Sequence, residues 1–380
     1  MKIALVSPYD YSYPGGVSTH VAHLEREFLR RGHEVRVIAP SSRTAEELGN
    51  PRLLALGRPV PIALGVGGSV ARISLHPRLS PRIKQILAEE RFDVVHLHEP
   101  LVPFVAITTL RFSRSLTVGT FHAYAESHRG YRYLRRLLDR YLSRLDGKIA
   151  VSEPARAFIS KYFPGDYTVI PNGIDFPLFS SPAAPLPQFQ DGKLNILFVG
   201  RWERRKGLPD LLEAYRLLKG DFPQSRLIVV GPDGGRRAPY ERLVSDYLLR
   251  DVHLVGLVPS SELPSYYQAA HIFCAPSTGK ESFGLVLLEA MAAGRPIVAS
   301  DIAGYASVIG HGAEGFLVPP KDPQALAAAL ARLLADGALR EQMGAQGREK
   351  AQQYDWPLVA AQVLSFYEQV RQARLLARGA

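Results

Sequence analysis

Two glutamates in one short stretch carry the most specific chemical signal in the chain. In GKESFGLVLLEAMAAG, Gly279–Gly294, seven residues separate Glu281 from Glu289. A helix starting at Ser282 or Phe283 would put Glu281 at its mouth and Glu289 about two turns inward on nearly the same face. The free amides of Ser282, Phe283, Gly284 and Leu285 would then form an anion site, where a phosphate docks while the carboxylates hold hydroxyls. The same spacing reads equally as a helix cap followed by a solvated glutamate. The second constellation is GRWERRKG, Gly200–Gly207, directly after a run with strand character. Ligands bind at the carboxyl ends of strands in doubly wound sheets, so Arg201 and Lys206 are expected to face one. Arg grips phosphate oxygens in pairs and Lys acts as a point charge, a combination suited to a departing nucleoside diphosphate. A solvated basic loop is the plainer reading of such a run.

The elements that would position these residues follow from pattern. Short Val/Ile/Leu-rich runs alternate with amphipathic segments throughout, as in parallel sheets built from βαβ units. In the first half, residues 2–7, 34–39, 93–97, 116–120 and 147–151 read as buried strands. Val17, Val21, Leu24 and Phe28 mark the helix after the first strand. Residues 195–199, 226–230, 253–255, 272–275 and 297–299 restart the pattern. Pro171-Asn172-Gly173 and the proline-rich stretch 176–190 mark a linker, and residues 323–353 read as one helical run. The expected fold is therefore α/β, with two doubly wound domains.

Composition narrows the class. The 380 residues, 46% of them apolar, suffice for two cores. The single cysteine, Cys274, excludes an internal disulfide. Met1-Lys2-Ile3-Ala4-Leu5-Val6 runs straight into a strand pattern without a leader, so a cytoplasmic location is expected. The apolar stretch 101–110 falls short of the ~20 residues that span a bilayer, leaving only peripheral membrane contact. The formal charge is +10, and residues 1–173 carry 24 basic against 15 acidic residues. An anionic partner for that half is implied, lipid headgroups or nucleic acid, with solubility as the plainer account.

The pair GRWERRKG and ESFGLVLLEAMAAG resembles the donor-site signature of the GT-B glycosyltransferases of family four. The N-terminal segments PYDYSYPGGVSTHV, GGSVAR, FDVVHLHEP, TFHAY and IPNGID extend the resemblance along the whole chain, and they are similar to those of the phosphatidylinositol mannosyltransferases in that family. The resemblance implies two Rossmann-like domains facing a central cleft: residues 1–173 with a returning helix over 355–380 on the acceptor side, and 174–354 binding a nucleotide sugar. It implies a retaining transfer of mannose from GDP-mannose to a lipid such as phosphatidylinositol, with no tightly bound cofactor, at the inner face of the cell membrane. Gly16 would lie against the diphosphate, Arg201 and Lys206 would hold it, Glu281 would bind sugar hydroxyls, Glu289 the ribose, and His122 would lie beside the transferred sugar. Tyr9, Ser69 and Arg72 would contact the acceptor. Without the family, His122 reads as well as a satisfied core histidine. The chain departs from the mannosyltransferases in its shorter Arg201–Lys206 spacing, one residue less, and at Tyr13 and Ser18.

His96, His98 and Glu99 invite a metal reading, but no third ligand on matching geometry is visible, and strand-end packing is expected instead. Two segments are candidates for an anionic membrane surface. In one, Arg78, Arg82 and Lys84 flank Ile83, Ile86 and Leu87. In the other, Arg132, Arg136, Arg140 and Arg144 recur every four residues opposite Leu134, Leu138, Tyr141 and Leu145. Rival readings are a sugar-nucleotide epimerase, a family-four transferase using another donor such as UDP-glucose with another lipid or glycan acceptor, and a non-catalytic nucleic-acid binder. The last would need cations interleaved with stacking aromatics and leaves both donor motifs unexplained.

Overall fold

The computed structural model describes every residue except Pro14, 64–69, 75–78, Glu126 and Ala380. The chain divides into two compact units, Met1–Gly173 with Trp356–Ala380 and Ile174–Asp355.

Unit 1 is a doubly wound sheet. Its elements run β1 (Lys2–Val6), α1 (Gly16–Arg30), β2 (Glu34–Ala39), β3 (Leu53–Ala55), β4 (Val60–Ala63), β5 (Val70–Ile73), α2 (Leu79–Glu90), β6 (Val94–His98), α3 (Val105–Phe112), β7 (Leu116–Phe121), α4 (Arg129–Tyr133), α5 (Arg135–Leu142), β8 (Gly147–Ala150), α6 (Glu153–Tyr162) and β9 (Thr168–Val169). Seven parallel strands lie in the order β3-β2-β1-β6-β7-β8-β9, and β4 and β5 form a separate antiparallel pair. The winding reverses between β1 and β6, so the loops after these two strands diverge and open a crevice at their carboxyl ends. The strands are apolar through both faces because helices cover each side. The C-terminal helix, Trp356–Gly379, belongs to this unit and lays Val359, Val363 and Tyr367 into the core with Ile3, Leu5, Leu24 and Phe28.

Unit 2 repeats the plan with α7 (Phe176–Ser180), β10 (Leu194–Val199), α8 (Leu208–Lys219), β11 (Ser225–Val230), α9 (Arg237–Asp246), β12 (Val252–Gly256), α10 (Leu263–Ala269), β13 (Ile272–Ala275), α11 (Leu285–Ala292), β14 (Ile297–Ser300), α12 (Ala303–Ala306), β15 (Gly315–Val318), α13 (Pro323–Ala335) and α14 (Gly337–Ala351). Its six parallel strands lie in the order β12-β11-β10-β13-β14-β15, reversing between β10 and β13. The helical run expected over 323–353 is two helices. Asp336 ends α13 and caps α14, its carboxylate accepting from the Leu339 amide at 2.9 Å.

Candidate functional site

In unit 2 the candidate residues collect at the reversal of the sheet. The loop after β10 carries Arg201 and Lys206, and the loop after β13 carries Glu281. The two loops are stitched together: the Thr278 amide donates to the Arg205 carbonyl at 2.8 Å, and the Thr278 hydroxyl reaches the same oxygen at 3.2 Å. Gly207 makes the close approach possible. Its φ of +74° is left-handed, and a Cβ there would lie 1.9 Å from the Pro276 carbonyl oxygen. The short 3-10 turn Arg204–Lys206 then points consecutive cations at one carboxylate. Lys206 Nζ donates to Glu281 Oε1 at 2.8 Å, and Arg205 Nη1 binds the same oxygen. Arg201 is more exposed and pairs with Glu203 at 3.0 Å. Arg205 was not singled out from the sequence. The run Arg204-Arg205-Lys206 was visible, but only the turn geometry reveals which two of its cations share Glu281.

Helix α11 starts later than expected. Gly284, at φ +124°, is its N-cap and Leu285 its first residue, so Ser282 and Phe283 belong to the preceding turn. A backbone at that φ cannot continue a right-handed helix, and the amides at its mouth are those of Gly284 and Leu285 rather than of all four residues. Glu289 sits one turn into the helix, half-buried, accepting from the Tyr267 hydroxyl at 2.6 Å. Burial raises its pKa, against the pull of that hydrogen bond.

In unit 1 a second cluster forms where its own winding reverses. His98 ends β6, Glu99 follows it, His122 follows β7, and His20 lies on α1. His98 Nδ1 and His122 Nε2 are 3.0 Å apart, and His20 Nδ1 pairs with Asn172 Oδ1 at 2.9 Å. His96, two residues earlier on β6, shares the face of His98 with ring centres 4.4 Å apart, and is held deeper in the core by Thr120 at 2.6 Å and by the Tyr367 hydroxyl at 2.7 Å. Burial keeps these rings neutral: it lowers His20 to about 4 and His96 to about 3, and holds His98 and His122 well below the ordinary imidazole range. Glu99 Oε1 accepts from the His122 amide at 2.7 Å, and burial pushes its carboxyl up to about 7 against the backbone N–H groups of His122 and Ala123.

His20, His98 and His122 offer one nitrogen each, all within 4.8 Å of one another, which is a spacing that could hold a metal ion. The third ligand is not visible in the sequence because it does not lie beside His96 and His98 along the chain. The partners come from α1 and from the strand adjacent to β6, and only sheet topology brings them together. Two of the three nitrogens already face each other in a hydrogen bond.

The remaining candidates divide. Tyr9 bridges to Ile73, the Asp10 amide donates to the Arg72 carbonyl at 2.9 Å, and the Arg72 guanidinium stacks 4.3 Å from the Tyr13 ring centre, so Tyr9 and Arg72 lie together. Ser69 and Arg78 lie outside the described residues. Gly16 is the exposed first residue of α1, and a Cβ there would meet nothing within 4 Å, so the packing around it does not demand glycine.

With this geometry established, comparison with known proteins places the chain. Residues 14–176 match the model for Glycosyltransferase Family 4, and residues 186–350 match that for Glycosyl transferases group 1. A phosphatidyl-myo-inositol mannosyltransferase of Mycobacterium leprae is 37% identical over 374 residues, 97% of each chain. One from Propionibacterium freudenreichii is 32% identical over 391 residues, all of this chain and 98% of its own. This chain is a family-four glycosyltransferase. A glycosyltransferase from Rickettsia africae shares the fold of the transferase, with a TM-score of 0.80 at 19% identity over 97% of this chain and 98% of that one. A glycogen synthase of Mycobacterium tuberculosis is more distant, 30% identical over 403 residues, 97% of this chain and 94% of its own.

The two basic segments of this family-four enzyme differ from their sequence reading. On α2, Ile83 and Ile86 are buried in the unit 1 core and Leu87 packs against it, so these residues hold the helix down. Lys84 Nζ lies 4.4 Å from the Phe112 ring centre, and Arg82 bonds Gln85 at 3.1 Å. The second segment is not one stripe. It breaks into α4 and α5 at Leu134, and Arg144 lies beyond α5 with its Nε on the Leu110 carbonyl at 2.9 Å. Leu138 and Leu145 are buried, whereas Tyr133, Leu134 and Leu137 are 74%, 51% and 50% exposed among the exposed Arg132, Arg136 and Arg140.

Proposed function

We propose that this transferase moves mannose from GDP-mannose to the inositol headgroup of phosphatidylinositol, with retention of configuration, at an anionic membrane surface. The observation that carries the donor side is the convergence of Arg205 and Lys206 on Glu281 at the reversal of the unit 2 sheet. Cations fixed there before reaction suit a diphosphate whose charge grows as it leaves, because a preorganised charge needs no reorganisation in the transition state. Lys206 takes that role, together with Arg201, which lies on the same loop and pairs with Glu203. Glu281 binds sugar hydroxyls, Glu289 the ribose, and the amides of Gly284 and Leu285 at the mouth of α11 receive a phosphate oxygen. In unit 1, Gly16 admits the diphosphate close to backbone, His122 contacts the transferred sugar, and Tyr9, Ser69 and Arg72 hold the acceptor.

Near-full-length identity of 32–37% to phosphatidyl-myo-inositol mannosyltransferases supports mannose and the lipid. Retention is proposed through attack by the acceptor hydroxyl on the face the leaving group vacates. Membrane contact is supported by charge: unit 1 holds 27 basic against 16 acidic residues and unit 2 holds 19 against 20. Among the described residues no helix is long and apolar enough to cross a membrane, so contact would be peripheral, through Arg82 and Lys84 on α2 and through Arg132, Arg136 and Arg140 around the exposed Tyr133, Leu134 and Leu137.

The alternative is a different nucleotide sugar, such as UDP-glucose, with a glycan acceptor, which the similarity to a glycogen synthase favours. A panel of lipid and glycan acceptors crossed with GDP and UDP sugars, read by product mass, tests both. Mannosylated phosphatidylinositol from GDP-mannose is expected. A glucosylated glycan as the sole product would replace this reading with the alternative.

A further inference from the structure

The His98–His122 contact fixes more than a ring position. One nitrogen of the pair must donate and the other accept, because the 3.0 Å separation of His98 Nδ1 from His122 Nε2 holds a single shared proton. His98 decides which. It is fully buried, and its Nε2 has no hydrogen-bond partner among the described residues. If His98 carried its proton on Nε2, an N–H would be buried without an acceptor, a situation native structures almost never tolerate. With the proton on Nδ1, the group left over is only a bare lone pair. The second arrangement also uses the shared contact fully, since Nδ1–H then donates to His122 Nε2.

The surroundings leave neither ring free to turn. His98 lies against His96, ring centres 4.4 Å apart at 33°, and His96 is itself pinned at both nitrogens by Thr120 and Tyr367. His20 packs edge-on against both members of the pair, at 5.2 Å from His98 and 4.9 Å from His122. The His122 backbone is anchored separately, by its amide on Glu99. Burial disfavours the charged form of both rings, so a doubly protonated imidazolium does not resolve the contact.

We propose that His98 is a positioning residue that locks His122 in the Nδ1–H tautomer, so that His122 meets the sugar as a neutral hydrogen-bond donor and not as a proton acceptor. This rests on the reading above in which His122 contacts the transferred sugar. His122 Nε2 is occupied by His98, and the ring is only half-buried where His98 is fully buried, so Nδ1 is the nitrogen left to serve a ligand. The logic is that of any oriented imidazole, in which a fixed partner on one nitrogen dictates the chemistry of the other.

The test is long-range ¹H–¹⁵N correlation on the full chain with ¹⁵N-labelled histidine, assigned by single substitutions. His122 is expected to show a protonated Nδ1 and a bare Nε2, and His98 a protonated Nδ1. A His122 protonated on Nε2, or on both nitrogens, overturns the proposal. So does stoichiometric Zn²⁺ binding that shifts His20, His98 and His122 together, since the metal would claim the lone pairs that the tautomer assignment distributes. In the transfer assay, His98→Leu is expected to lower kcat about 10- to 100-fold with little change in the KM for the nucleotide sugar. His98→Asn, whose amide can donate from near the Nδ1 position, is expected to recover most of that loss. Equal kcat for His98→Leu and wild type overturns the positioning role. If His98→Leu fails to fold, the wild-type spectrum alone decides. A wild-type protein that turns over no nucleotide sugar sinks the functional reading and not the tautomer, which is measured in the resting protein.

Discussion

In unit 2 the candidate ligands are ions that neutralise one another, whereas in unit 1 they are imidazoles that burial keeps neutral and a carboxyl that burial raises to about 7. Both sets stand where a doubly wound sheet reverses its winding, so topology selects the place in each unit and leaves the chemistry to the loops. The contrast extends to the surface, with a net charge of +11 in unit 1 and −1 in unit 2. A site for a charged leaving group needs fixed charge near it. Neutral rings can donate or accept to uncharged hydroxyls, and burial is the cheapest way to keep a histidine neutral near pH 7.

The hardest blow to this contrast would come from the unit 2 cations. Lys206→Ala and Arg201→Ala are each expected to lower turnover about 10²- to 10³-fold with little loss of melting temperature, because in the proposed function both act on developing charge. Wild-type turnover in either would remove the diphosphate role. Glu281→Ala should impair transfer, and Glu289→Ala should mainly weaken nucleotide binding; equal losses in free-nucleotide affinity by calorimetry would dissolve that division.

A structural substitution sharpens the comparison next. Gly207→Ala must place a Cβ against the Pro276 carbonyl at a left-handed φ, and is expected to cost at least about 2 kcal/mol of unfolding free energy in urea. A change below about 0.5 kcal/mol would mean that the two loops of unit 2 are not held as described.

Acid should separate the units. The unfolded chain takes up imidazole protons near pH 6.5, whereas native His20 and His96 wait until about 4 and 3, and His98 and His122 are also lowered. The native unit therefore binds fewer protons in that interval, and its stability falls as pH drops below about 6.5. Glu99 works the other way. Raised to about 7, its contribution is full below the ordinary carboxylate range and is lost as pH rises through 7. Four imidazoles outweigh one carboxyl. In unit 2, burial lowers His253 and His271 too, but they are two rings, one exposed and one half-buried, so their effect is smaller, and Asp251, held near 2 by Lys193 and Lys219, loses its stabilising effect only below the range of the experiment. Hydrogen exchange followed from pH 7 to 4.5 is expected to show unit 1 peptides losing protection first. Simultaneous loss would contradict the contrast.

The smallest effect expected is at the membrane. Flotation with anionic vesicles should be salt-sensitive, and Arg136→Ser with Arg140→Ser, or Arg82→Ser with Lys84→Ser, should weaken it by about 1 kcal/mol per cation. Equal recovery with neutral and anionic vesicles at low salt would argue against an anionic surface as partner of unit 1.

The sheets were legible in the sequence because buried parallel strands are written as uninterrupted runs such as Leu116–Phe121 and Ser225–Val230. The short strands Leu53–Ala55 and Thr168–Val169 are too brief to leave a period, and Gly315–Val318 is a four-residue run that the expected strands omitted. Candidate site residues on the loops after strands were legible as neighbours in sequence. Their partners were not, since Arg205 on Glu281, Tyr267 on Glu289 and His20 beside His122 depend on which strands are adjacent. The arginine stripe takes another shape for a simpler reason. A four-residue period says nothing about the break at Leu134, which turns Leu134 and Leu137 outward while Leu138 stays in the core.

The route of the chain through unit 1 has a consequence for its birth on the ribosome. The core of that unit is completed by Val359, Val363 and Tyr367 of the C-terminal helix, and Trp356 packs onto Gly173, where an added Cβ would come within 2.4 Å of the indole. Unit 2 is in effect an insertion between these two residues. During synthesis the first 173 residues emerge with part of their apolar interior open, and they must wait while the contiguous second unit is made. The half of the protein translated first is thus the half that finishes folding last. A circular permutant that begins at Trp356 would hand the ribosome each unit whole.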